Sequence, residues 1–160
     1  MIIKKITLLF ILFLLGTVSQ AQDYFLSAYE PFESAIRSPE DFLGYPVGSH
    51  HTRHDRLVAY MHYLAENSDK ASIHTYGETH EKRDLIILTV SSVENIRNLE
   101  TLRIKHLELV NPEASGDNKD QPVFINLGYG VHGNEPSSAE AAMLAAYTLV
   151  ASEAPVIAKY

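Results

Sequence analysis

The sequence predicts an α/β domain: a partial layered sheet, made of an antiparallel hairpin plus a parallel-type strand, with helices on its faces. Three stretches carry that prediction. Leu85–Val90 is almost continuously apolar, the pattern of a strand covered on both faces. Val123–Leu127 is a second apolar run of β type, followed by a Gly-punctuated loop. From Pro136 to Ser152 the chain is Ala-rich and leaves almost no polar face, as expected of a helix buried on most sides. A strand, a loop and a buried helix in succession belong at the centre of a layered domain.

Taken from the start, residues 1–21 have the organisation of a signal peptide. Lys4 and Lys5 form a positive n-region, Ile6–Leu15 an apolar core, and Ser19-Gln20-Ala21 presents small residues at the cleavage-determining positions. The apolar core is too short to span a bilayer comfortably. Cleavage after Ala21 therefore yields an exported protein, periplasmic or secreted, with no stable membrane anchor. Residues 22–47 hold Pro31, Pro39 and Pro46 among several aromatics and read as an extended lead-in. Ser38-Pro39-Glu40-Asp41 favours one short helical turn there, with proline at the first helical position. Residues 48–160 form the domain proper.

Within it, Leu57, Met61 and Leu64 recur at helical spacing over residues 53–67, and Val58 and Ala65 widen the stripe. Ser49 or Thr52 is the expected cap. Ser72–Tyr76 and Leu85–Val90 read as strands joined by a short polar connection, which favours an antiparallel hairpin. Residues 94–110 carry a ragged apolar stripe ended by Asn111-Pro112. Residues 113–121 are polar and read as a solvated loop.

Composition removes several function classes. Hydrophobic residues make up 46% and charged residues 21% of the 160-residue chain, a globular balance for a single domain. The formal net charge of -7 argues against nucleic-acid binding, which needs a basic face for phosphates. There is no cysteine, so disulfides and thiolate catalysis are excluded. Any metal must be held by imidazole and carboxylate.

The chemistry converges on one loop. His132 and Glu135 stand three residues apart at the turn between Val123–Leu127 and the Pro136 helix. A bare His-x-x-Glu match is a weak signal, so context carries it. The strand supplies support, and Gly128, Gly130 and Gly133 let the backbone turn around the site. The carboxyl end of such a strand is where α/β sheets place ligands. Imidazole and carboxylate suit Zn2+, whose catalytic sites use three protein ligands and an open position. On the loop alone two readings stand. The pair ligates metal, or His132 bonds to backbone while Glu135 complements the positive end of the helix.

Other candidates are bland. His50-His51-x-x-His54 looks metal-like, but its spacing fits neither a helical i, i+4 pair from His50 nor a known site. His106 reads as part of a solvated helix face, and Tyr129 as an ordinary aromatic contact. Asn126 and Asn134 are suited to hold the loop through side-chain-to-backbone bonds. Ser137 and Glu140 have the spacing of a capping pair.

The segment Gly130-Val131-His132-Gly133-Asn134-Glu135 resembles the first zinc-binding motif of the zinc carboxypeptidase family, the carboxypeptidase A/B-like metallopeptidases. The run Tyr76–Leu85 resembles that family's early hairpin, although Lys82-Arg83-Asp84 stands where Gly-Arg-Pro is common. The resemblance covers about residues 45–155. It implies His132 and Glu135 as ligands of Zn2+, and a peptide or protein as substrate, hydrolysed by zinc-activated water. It also implies a third ligand, a histidine, and a catalytic glutamate further along the chain. Neither has a matching position within these 160 residues, so no catalytic residue is assigned. The expectation is the incomplete N-terminal part of a catalytic domain, with little or no activity of its own. Two alternatives remain. Aspartoacylase and succinylglutamate desuccinylase proteins are similar at His-Gly-Asn-Glu and hydrolyse small N-acyl amino acids. A metal-free binding module is the other.

Overall fold

The computed structural model describes residues 21–111, 113 and 121–157. The signal-peptide reading lies outside these residues, apart from Ala21. Eight elements matter here, in chain order: α1 (Ala21–Leu26), α2 (Pro39–Leu43), α3 (His54–Asn67), the strands β1 (Ala71–Glu78) and β2 (Asp84–Val90), a pair of helices, and a long C-terminal helix.

α2 forms because its ends are fixed. The Ser38 hydroxyl accepts the Asp41 N–H at 3.1 Å, Pro39 opens the helix, and Gly44 closes it at φ 82°. The connection is not a loose tether. Phe32 stacks on Tyr147 with centroids 4.7 Å apart. The Glu33 N–H donates to Ala151 O and the Glu153 N–H to Pro31 O, each at 2.8 Å. Ile36 and Leu43 are buried in the same core as α3.

α3 presents Met61 and Leu64 to that core, as its spacing predicts, and also Tyr60, which lies outside the expected stripe, while Leu57 is only partly buried. Its start differs from expectation. The N-cap is Arg53, without a side-chain capping bond, while Thr52 is buried and its backbone N–H donates to Glu140 Oε1 at 3.0 Å.

β1 and β2 pair antiparallel, with Ala71 opposite Val90 and Glu78 opposite Asp84. The register slips between Thr75 and Gly77, a one-residue bulge at a glycine. The Thr79–Arg83 turn closes the hairpin through Thr79 N–H to Arg83 O at 2.8 Å. The helix expected over 94–110 is two helices, α4 (Val93–Arg97) and α5 (Leu99–Leu109). Asn98 leaves helical geometry at φ -104°, ψ 14°, and its N–H folds back onto Glu94 O at 3.1 Å. No residue of α5 is buried, consistent with its ragged stripe.

Two expectations need correction. The third strand over Val123–Leu127 does not form among the described residues, and the sheet there has two strands. A strand needs a neighbour to satisfy its backbone. Here Val123, Ile125 and Leu127 stand 84%, 74% and 56% exposed. The layered sheet with a parallel-type strand is therefore reduced to a hairpin with helices. The C-terminal helix, α6 (Pro136–Ala151), is also not buried all round. Its core stripe is Ala142, Met143, Ala146, Tyr147, Val150 and Ala151, at the i, i+3, i+4 spacing of one face. With no third strand against it, Ala139, Ala145 and Leu149 line an open cleft.

Candidate metal centre

The cleft has a volume of about 1690 Å³, larger than ordinary ligand pockets of about 300–1,000 Å³. Its size follows from the missing strand contact. β2 forms one wall, α3 and α6 the floor, and the extended 122–130 segment the far wall. One aromatic contact ties that wall back to the body. The His106 ring on α5 lies 4.6 Å from the Phe124 ring. His106, read as part of a solvated face, is thus half-buried and belongs to the cleft.

His132 and Glu135 both line this cleft and both are exposed. A tight turn joins them, with the Glu135 N–H donating to His132 O at 3.1 Å. Pro136 then starts α6, so Glu135 is its N-cap residue, yet its carboxylate makes no capping hydrogen bond. Among the described residues neither the His132 ring nor the Glu135 carboxylate has a hydrogen-bond or ion-pair partner. No side-chain capping bond is made, yet Glu135 stands at the N-cap, where its charge complements the helix end, so the metal-ligating and the helix-end readings both remain open. The donor chemistry, one imidazole and one carboxylate open to a cleft, fits part of a zinc site. It does not complete one. Among the described residues no group of three His, Cys, Asp or Glu is placed to hold a metal ion.

Among the described residues the loop is tied by Ser138, and no side-chain bond from Asn126 or Asn134 holds it. The Gly130 N–H donates to Ser138 Oγ at 2.6 Å, tying the loop to the first turn of α6. Of the three motif glycines only Gly130 has a positive φ, 74°. Gly128 and Gly133 need no such freedom, and no neighbouring atom lies within 4 Å of a Cβ at any of the three.

The remaining histidines separate. His54 donates from Nε2 to Asp84 O at 2.9 Å, holding the base of β2 against α3. His50 pairs with Ser49 through Nδ1 and Oγ at 2.8 Å. His51 and His54 line the cleft with His132, but the structure does not gather them into a metal cluster. Arg83 pairs with Glu81 at 2.7 Å on an exposed surface.

Sequence reasoning missed Glu140. It does not cap α6 with Ser137. It is buried, and its Oε1 accepts the Thr52 N–H at 3.0 Å. The signal was present: a lone carboxylate in an otherwise apolar helix implies a buried polar partner.

The comparisons with known proteins bear on the same stretch. A family model described as zinc carboxypeptidase matches residues 57–160. No curated protein and no solved structure matched the chain. The family match spans more than half of the chain and takes in the hairpin, the loop with His132 and Glu135, and α6: the protein belongs to the zinc carboxypeptidase family.

Proposed function

We propose that this chain is the N-terminal part of an exported zinc-dependent carboxypeptidase, with His132 and Glu135 as two of its zinc ligands. The observation that carries the reading is the unpaired His132–Glu135 turn, open to the cleft within the matched region. Bound zinc would polarise a substrate carbonyl and lower the pKa of a water to about 7.

The chain's own residues do the rest. His132 would supply an imidazole nitrogen and Glu135 a carboxylate oxygen. Gly130 and Ser138 set the loop that presents them. The cleft admits an extended peptide beside that loop. With two donors in reach, this chain holds zinc weakly, because a catalytic zinc takes three protein ligands. In this reading Val123–Leu127 becomes a strand once an edge partner covers its exposed apolar side chains. Export rests on the Lys4-Lys5 and Ile6–Leu15 pattern. Among the described residues no helix is long and apolar enough to cross a membrane.

Isothermal titration tests the metal half. One zinc per chain, lost in His132→Ala, is expected. Unchanged zinc binding in that variant would remove the basis of the proposal. The family match favours peptides over N-acyl amino acids as substrates. With no third ligand and no catalytic residue assigned, this chain by itself is expected to cleave little or nothing. A longer protein that supplies them is expected to cleave a peptide with a free C-terminus and to spare N-acetylated single amino acids.

A further inference from the structure

Among the described residues Glu140 is the only buried carboxylate. It lies five residues beyond Glu135 and near the start of α6, and its Oε1 holds the Thr52 backbone N–H at 3.0 Å. Thr52 is 2% exposed and sits two residues before α3 begins. The carboxylate therefore stands by the N-terminal ends of both helices, where an anion is favoured by the aligned peptide dipoles. Its second oxygen, Oε2, and the Thr52 Oγ1 are both buried without a partner among the described residues. A group serving packing alone would be better replaced by an apolar one. What Glu140 joins is specific. Thr52 lies between His51 and His54 in the segment that leads into α3, and His51 and His54 line the same cleft as His132 and Glu135.

We propose that Glu140 is a positioning residue for the metal loop. Its carboxylate fastens the start of α6 to the segment that leads into α3 and so fixes the separation of two parts of the cleft lining. One carries His51 and His54, the other His132 and Glu135. The zinc readout of this proposal rests on the metal reading above; its backbone readout does not.

The test compares Glu140→Ala and Glu140→Gln with the parent chain by amide hydrogen exchange and by zinc titration. Glu140→Gln keeps an oxygen acceptor for the Thr52 N–H, whereas Glu140→Ala removes it. Exchange at Thr52 and at Gly130 is expected to accelerate at least about tenfold in Glu140→Ala and to return close to the parent rate in Glu140→Gln. Tyr60 and Leu64 keep their protection. Zinc affinity falls about tenfold in the alanine variant, within the range for groups that orient ligands, and is rescued by glutamine. Uniform acceleration at Thr52, Gly130, Tyr60 and Leu64 would reduce Glu140 to a core residue and overturn the proposal. So would an unchanged Gly130. If the alanine variant does not fold, Glu140→Asp replaces it, because the shorter side chain loses reach to Thr52. A parent chain that binds no zinc refutes the metal reading alone, and exchange at Gly130 still decides this one.

Discussion

Gly130→Ala isolates the backbone's contribution to the proposed metal site. Gly130 sits at φ 74° two residues before His132, and no neighbouring atom lies within 4 Å of a Cβ placed there. The substitution thus introduces no clash with its surroundings. It adds only the cost of a left-handed residue that is not glycine, about 1–2 kcal/mol. The loop is exposed and tied by Gly130 N–H to Ser138 Oγ, so that cost falls on the loop's own conformational equilibrium rather than on the core. The fraction of loops in the ligating arrangement drops, and apparent affinity drops with it. At 25 °C, 1–2 kcal/mol corresponds to about 5- to 30-fold weaker zinc binding. Gly133→Ala is the control, since Gly133 has equal open space and no positive φ. Isothermal titration of the three proteins, alongside thermal unfolding, checks this. Equal losses in both variants, or an unchanged affinity in Gly130→Ala, would refute the argument that Gly130 alone among the motif glycines sets the loop.

Other consequences are testable on the body of the domain. Leu64→Ala removes a fully buried side chain on α3 and should destabilise the protein by about 2–5 kcal/mol in denaturant unfolding. Ser38→Ala deletes the cap of α2 and should cost about 1 kcal/mol in the same assay. Burial pushes the Tyr60 phenol well above its ordinary pKa of 10.0, and Tyr147 is raised for the same reason. The folded state therefore keeps these protons when the unfolded chain has lost them. That contribution to stability is full below pH 10.0 and falls as pH rises beyond it. Tyr60→Phe should flatten the alkaline loss in a pH series of unfolding curves, while forfeiting the bond from the Tyr60 hydroxyl to Arg37 O.

The sequence was legible where periodicity is local. The α3 stripe Leu57, Met61, Leu64 needs only 3.6-residue spacing, and the apolar run of β2 marks a strand by its own residues. The cover on both faces that the run predicts is not seen: no β2 residue is buried and Ile87 is 50% exposed. Ser38-Pro39 announces α2 through a cap whose partners lie within three residues. The long-range features were not legible. Glu140 and Thr52 are 88 residues apart, and no local rule joins them. Val123–Leu127 has every local mark of a strand, but pairing depends on a neighbouring edge that local composition does not supply. The same missing neighbour explains why α6, apolar all round, buries one stripe and leaves Ala139, Ala145 and Leu149 on the cleft. The glycines were only partly legible. Three of them mark a loop, but composition does not reveal which one carries a positive φ. At the metal loop, residue types and spacing sufficed to nominate His132 and Glu135, whereas the Ser138 tether was not anticipated.

Anomalous diffraction at the zinc edge, from crystals of the protein grown with zinc, tests the central claim most directly. The account predicts a peak within about 2.0–2.2 Å of a His132 ring nitrogen and a Glu135 carboxylate oxygen. A peak at His50, His51 or His54 instead, with His132 and Glu135 free of metal, would contradict it.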